Sequence, residues 1–237
     1  MSRILRTFAL AASAMAAFAV MASAAQAETG VLTAQQYPAI VTGPQIAGPT
    51  FDIGGAPLKT VTCASSLDTT LNGPTDPVTF VPNYAGCVSE PGAQPVTVTL
   101  NGCDYSVGVT RPGTTGWPLE TGELTASIIC PFGQQIEIHV YENGVKHGEN
   151  ISQCTYDIGP QGPVPAGVYH NRFAMPRDVE LTVQAKFTAR STIGPEALCG
   201  GAPPNQHLPI TLTGTYTLKG YQDFGGVEGG LIPLDVG

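Results

Sequence analysis

Apolar and polar residues alternate with a period of two along much of this chain, the signature of strands that bury one face. Val179, Leu181, Val183, Ala185 and Phe187 share one parity, and Glu180, Thr182, Gln184 and Lys186 share the other. Ile210, Leu212, Tyr216 and Leu218 alternate in the same way with Thr211, Thr213, Thr215 and Thr217. Ile136, Ile138 and Val140 do so with Glu137, His139 and Tyr141, and a short strand is expected over Thr155 to Ile158. Beyond the N-terminal segment no stretch shows a comparable 3.6-residue period. The pattern therefore predicts an all-β fold, an antiparallel β-sandwich.

Between Val96 and Cys130 the pattern predicts a register. Val96 to Leu100 meets Cys103 to Val107 across Asn101-Gly102, the dipeptide preferred in two-residue type I′ turns because both central positions need positive φ. Leu100 should then face Cys103, and Val98 should face Tyr105. Leu124, Ala126, Ile128 and Cys130 share one parity. An antiparallel return would set Val109 opposite Leu124, Val107 opposite Ala126, Tyr105 opposite Ile128, and Cys103 opposite Cys130. Facing residues of a non-hydrogen-bonded pair are close enough for a disulfide.

The first 27 residues change the compartment and not the fold. Arg3 and Arg6 precede an apolar run from Phe8 to Ala22, and Ala25-Gln26-Ala27 forms a small-x-small cleavage pattern before Glu28, as in an export signal. The run is Ala-rich and shorter than the roughly 20 residues of a membrane span. We expect a secreted or extracytoplasmic protein. Residues 28–48, with Pro38, Gly43, Pro44 and Gly48, read as a leader or an extended first strand. Residues 49–237 read as one β-sandwich domain, with a division near 143–165 left open by Asn143-Gly144, Gly159-Pro160 and Gly162-Pro163.

About 210 residues then remain, enough for a substantial core. The six cysteines, Cys63, Cys87, Cys103, Cys130, Cys154 and Cys199, act as reinforcement: in an oxidising space an even set reads as three disulfides. Strand register selects Cys103–Cys130; sequence proximity suggests Cys63–Cys87 and Cys154–Cys199. Zinc ligands come in close pairs such as C-x₂₋₄-C, whereas the shortest spacing here is the 16 residues from Cys87 to Cys103. No metal and no cofactor is expected.

The whole chain has 10 basic and 18 acidic residues. Loss of Arg3 and Arg6 leaves eight basic residues against the same 18, a net charge of −10. Such a balance repels nucleic-acid phosphates and anionic membranes.

The order Thr62-Cys63, Tyr84-Ala85-Gly86-Cys87, Asn101-Gly102-Cys103-Asp104-Tyr105, Cys130-Pro131, Cys154, Cys199 and Thr213-Gly214-Thr215-Tyr216-Thr217-Leu218-Lys219-Gly220-Tyr221 resembles a group of exported six-cysteine, β-rich proteins of high-GC bacteria, actinobacteria among them. The resemblance runs over roughly residues 50 to 237. It implies a secreted, disulfide-bearing β protein and transfers no catalytic residue.

Catalytic patterns are absent: there is no H-E-x-x-H, no G-x-S-x-G and no phosphate-cradling glycine loop ahead of a helix. Among His139, His147, His170 and His207, a hairpin at Asn143-Gly144 would set Val140 opposite His147 and leave His139 on the other face. Glu137, Glu142, Glu149, Asp223, Glu228 and Asp235 have no spacing that dictates a paired-carboxylate or calcium site. Trp117, the only tryptophan, lies in the connection from Thr110 to Gly122 with Arg111 nearby. It is a candidate to stack on a sugar ring or anchor a partner, or else to cover an end of the core. Tyr169, His170, Asn171 and Arg172 form a second polar-aromatic candidate. The expected function is a binding, surface-associated or structural module whose partner is a carbohydrate or a cell-surface protein. The alternative is a secreted hydrolase of polysaccharide or protein with a dispersed site. A surface polymer built by strand addition would need a long unpaired edge strand.

Overall fold

In the computed structural model, residues 30–48, 50–54, 59–90, 93–111, 121–141, 154–172, 177–193, 199, 203–225 and 228–236 are described. The expected export signal, Trp117 and His147 lie outside them. The fold is an all-β, antiparallel sandwich reinforced by three disulfides, as the alternation predicts. Val179, Leu181, Val183, Ala185 and Phe187 are all buried, as are Ile136, Ile138, Val140, Ile210, Leu212, Tyr216 and Leu218.

Four long strands organise it: β4 (Lys59–Leu71), β5 (Val78–Glu90), β12 (Asp178–Ile193) and β13 (His207–Asp223). Through one half of their length the pairing runs from β5 to β7 (Asp104–Arg111), β8 (Thr121–Ile129), β11 (Gln161–Arg172), β12, β13, β2 (Ala39–Ala47) and β4, which pairs β5 again. Through the other half it runs from β5 to β6 (Gln94–Thr99), β9 (Ile136–Val140), β10 (Cys154–Ile158), β12, β13, β3 (Phe51–Ile53) and β4. The sandwich layers are thus joined at their edges into two closed circuits of eight strands, stacked end to end on four shared strands. Closure removes the open edges that invite aggregation. Residues 39–47, readable from sequence as leader or strand, form β2 between β13 and β4.

The Asn101-Gly102 turn forms, with φ of 51° and 78° and a 2.9 Å hydrogen bond from Cys103 N to Leu100 O. The strands it joins do not pair, and the expected facing of Val98 and Tyr105 is corrected. Val98 faces Ile138 on β9, and Tyr105 faces Phe80 and Ile128. The reason is the length of β5. Its N-terminal part takes β7 and its C-terminal part takes β6, so β6 and β7 follow one another along it instead of lying side by side. The chain from β8 to β9 breaks at the same level, through Cys130 to Gln135. Asn101 Nδ2 donates to Gln135 O across the break at 3.0 Å. The Cys103–Cys130 disulfide staples it, with Cα atoms 4.1 Å apart. The rest of the expected register holds: Val109 faces Leu124, Val107 faces Ala126, and Tyr105 faces Ile128.

Both other expected disulfides are present, Cys63–Cys87 and Cys154–Cys199. Where the two circuits meet, buried phenols replace apolar packing. Tyr84 Oη and Tyr105 Oη are 2.7 Å apart, the Tyr84 ring lies 5.3 Å from Phe51, and Tyr216 Oη lies 3.3 Å from Ser65 Oγ, which also bonds Gln45. Burial pushes the Tyr84, Tyr105 and Tyr216 phenols above their ordinary value, with mutual repulsion adding to the rise at Tyr84. They are neutral at physiological pH and serve as hydrogen-bonding struts. Tyr84, Tyr105 and Tyr216 are thus architectural.

The end of the first circuit is covered by a ribbon of β1 (Leu32–Ala34) and β15 (Leu234–Val236). Asn171 holds the ribbon from inside. Its Nδ2 donates to Val236 O at 2.7 Å and its Oδ1 accepts from Val236 N at 3.0 Å. Leu32 and Val236 thereby close a small apolar cavity lined also by Phe80, Val107, Leu181 and Leu218.

Candidate functional site

Alternation along β7 and β8 sends Tyr105, Val109, Leu124, Ala126 and Ile128 into the core. It leaves Ser106, Gly108 and Thr110 beside Ser127 and Thr125 on the outer face, with Ser106 opposite Ser127 and Gly108 opposite Thr125. This two-strand floor lies at the bottom of an open groove. Its walls come from irregularities in the neighbouring strands. On one side β5 begins only at Val78, and Asp76 continues the ladder in its place, Oδ1 accepting from Val109 N at 3.1 Å. Pro77 stands beside it. On the other side the β11 register slips between Gln161 and Val164, which raises Pro163 over β8.

Gly108 keeps the floor low. A Cβ there would sit 3.1 Å from Thr125 Oγ1 and 3.4 Å from Asp76 Oδ1. Thr125 Oγ1 donates to Gly108 O at 3.4 Å, whereas the Ser106 and Ser127 hydroxyls make no hydrogen bond within the described residues. The groove therefore offers two uncommitted hydroxyls, each a donor and an acceptor. It adds the carboxylate of Asp76 and two proline faces. None of the lining residues is a nucleophile paired with a base. What the site can do is hydrogen-bond and pack against a polar ligand.

The sequence candidates fall elsewhere. Trp117 is outside the described residues, and Arg111 ends β7 with its backbone opposite Glu123. The Tyr169 to Arg172 cluster is divided by the strand period. Tyr169 and Asn171 point inward and are 1% and 3% exposed, so Tyr169 packs in the core and presents no face to a ligand. Arg172 points outward, 3.5 Å from Asp178 and 3.6 Å from Glu180. Local alternation writes only the floor of this groove; its walls depend on where β5 begins and where β11 slips.

A second polar group lies on the outer face of β9 and β10. His139 Nε2 is 3.1 Å from Glu137 Oε2, and His139 Nδ1 is 3.2 Å from Thr155 Oγ1. The row has the composition of an acid–base–hydroxyl relay but not its access, because Thr155 is only 5% exposed. It ties β9 to β10 instead. Among the described residues no three His, Cys, Asp or Glu side chains gather as metal ligands.

Asp157 faces Glu137 in the same row. Burial raises its carboxyl above the usual value; a hydrogen bond with Gln135 opposes the rise and Glu137 adds to it, with smaller lowering by Thr192 and His139. A carboxyl raised on folding binds its proton more tightly in the native state. It thus favours the fold in acid, and that contribution is lost as pH rises from the unfolded value through the folded one. Asp157→Asn keeps the shape without the charge. It is expected to raise the neutral-pH melting temperature by about 1–3 °C and to narrow the gap between mildly acidic and neutral melting curves. A lower neutral-pH melting temperature would show that the charge stabilises.

Set against family models, curated proteins and solved structures, the chain has no significant match.

Proposed function

We propose that this is an exported binding module that holds a carbohydrate in the groove across β7 and β8. The observation that carries this reading is the pair of uncommitted hydroxyls, Ser106 and Ser127, facing each other on a floor lowered by Gly108 and overlooked by the Asp76 carboxylate. A sugar presents alternating hydroxyls and C–H faces. The first match Ser106, Ser127 and Asp76, and the second match the rings of Pro77 and Pro163. Three disulfides fit an oxidising, extracytoplasmic compartment. No helix among the described residues is long and apolar enough to cross a membrane.

A strand-addition polymer finds less support. Among the described strands only β1, β15 and β14 (Glu228–Ile232) have a single neighbour. They are three, three and five residues long, and β14 carries Glu228 and two glycines.

Binding is tested by titrating the protein with a panel of soluble polysaccharides and their oligosaccharides. Ser106→Ala/Ser127→Ala removes two hydrogen-bonding groups from a solvated face. It is expected to weaken retention at least about tenfold, as loss of two bonds of about 1 kcal/mol each implies, with the melting temperature unchanged. Undiminished retention by the double variant, or no retention of any panel member by the parent protein, would sink the assignment. Trp117→Ala, measured in parallel, reports whether the connection between β7 and β8 contributes.

A further inference from the structure

At the far end of the second circuit lies a lysine with no counter-ion among the described residues. Lys59, the first residue of β4, is 5% exposed. Its ammonium makes one contact among the described residues, a 3.2 Å hydrogen bond from Nζ to Gln94 Oε1. A buried ammonium is ordinarily paired with a carboxylate, because a neutral partner does not offset the loss of its hydration. Between these two residues runs β5. Ser89 of β5 faces Gln94 on β6 and Val61 on β4, two residues from Lys59, so Lys59, Ser89 and Gln94 share the inner face of three adjacent strands. Ser89 is fully buried, and its hydroxyl has no hydrogen-bond partner among the described residues. An uncompensated amine, a carboxamide in contact with it and an orphan hydroxyl on the strand between them therefore occupy one corner of the core.

We propose that Lys59 and Gln94 condense into an intramolecular isopeptide bond that ties β4 to β6 across β5. The neutral amine of Lys59 attacks Gln94 Cδ, the Nζ–Cδ bond forms, the Cδ–Nε2 bond breaks, and Nε2 leaves as ammonia with a proton taken from Nζ. One amide is exchanged for another, so the step needs no oxidant, cofactor or added reactant, and escape of ammonia makes it directional. We assign the relay of the proton to the unpartnered Ser89 hydroxyl on the intervening strand. Burial depresses the Lys59 amine below the ordinary lysine value, which enlarges the nucleophilic fraction. The product accounts for the first anomaly of the corner, because the buried charge is gone.

The test is the mass of the mature, disulfide-intact protein and of its peptides after reduction, which frees the segments otherwise joined by Cys63–Cys87. The expected result is a mass lower than the oxidised sequence by one ammonia, no tryptic cleavage after Lys59, and, once the reduced protein is also cut with chymotrypsin at Phe80 or Tyr84, a branched peptide joining the segments that contain residues 59 and 94. The branched peptide separates this bond from cyclisation of an N-terminal glutamine, which loses the same mass. Lys59→Arg and Gln94→Ala should each restore the full mass, a readout that does not require the variants to be stable. Ser89→Ala should slow accumulation of the lighter species, and an unchanged rate would remove Ser89 from the step. Full mass with ordinary cleavage after Lys59 in the parent protein would overturn the proposal.

Discussion

Reduction of all three disulfides is expected to unfold this protein at 25 °C. The bridges close loops of 24, 27 and 45 residues, each of which restricts the unfolded chain by about 3–4 kcal/mol in the entropic description. The loops follow one another without overlap, so their contributions add to about 11 kcal/mol. That is comparable to the whole stability of an ordinary domain, about 5–15 kcal/mol. The 29 glycines and 21 prolines of the chain lend weight to a mechanism acting on the unfolded state. Urea titrations of the oxidised protein and of a variant with all six cysteines replaced by alanine measure the difference. A variant that keeps the parental midpoint would show that the strands alone suffice. Among single-bridge variants, loss of Cys154–Cys199 should cost most, since it closes the longest loop.

Placement of the bridges shows why they matter beyond entropy. Cys63 sits where the β4 register slips against β5, and the backbone there turns to the Thr50 hydroxyl for a partner: Cys63 N donates to Thr50 Oγ1 at 3.1 Å. Cys103–Cys130 lies where β6 gives way to β7 and β8 to β9. Cys154–Cys199 ties β10 to the connection between β12 and β13. Two of the three therefore reinforce points where hydrogen-bond ladders are interrupted.

The same interruptions explain how far the sequence could be read. Alternation exposes which face of each strand is buried, and it did so for β7, β8, β9, β12 and β13, because parity is a local property. It also placed Cys103 opposite Cys130, since a single meander relates them. It could not show that β5 is long enough to take β6 and β7 in succession, so the Asn101-Gly102 signal, correct as a turn, was misleading as a hairpin. Closure into two circuits depends on pairings such as β10 with β12 and β3 with β13, between residues far apart in sequence and unannounced by any local pattern. The groove inherits this division. Ser106, Thr125 and Ser127 were legible as an outer face, while Asp76, Pro77 and Pro163 became its walls only through the ends and slips of other strands. Lys59 and Gln94 were invisible as a pair for the same reason.

Gly167→Ala is expected to be the most damaging single substitution in the first circuit. Gly167 sits in β11 where its register slips against β8, facing Leu124 on that side and Val183 of β12 on the other. Its φ is +116°, outside the region an L side chain adopts without strain. A Cβ would also lie 2.0 Å from Thr182 O, 3.1 Å from Thr182 C and 3.3 Å from Gln184 N, all backbone atoms of the neighbouring strand. No rotamer change relieves a clash with backbone, so β11 must leave β12 or the peptide must rotate and give up its ladder bonds. Because β11 is one link of a closed circuit, separation from β12 also strains its pairing with β8. Strain and lost bonds together should remove at least about 3–4 kcal/mol. Gly159→Ala, where a Cβ meets nothing within 4 Å, is the matched control and should melt with the parent protein. Denaturant midpoints of the two variants decide the matter, and a Gly167→Ala protein as stable as Gly159→Ala would mean that the circuit can open at β11 without cost.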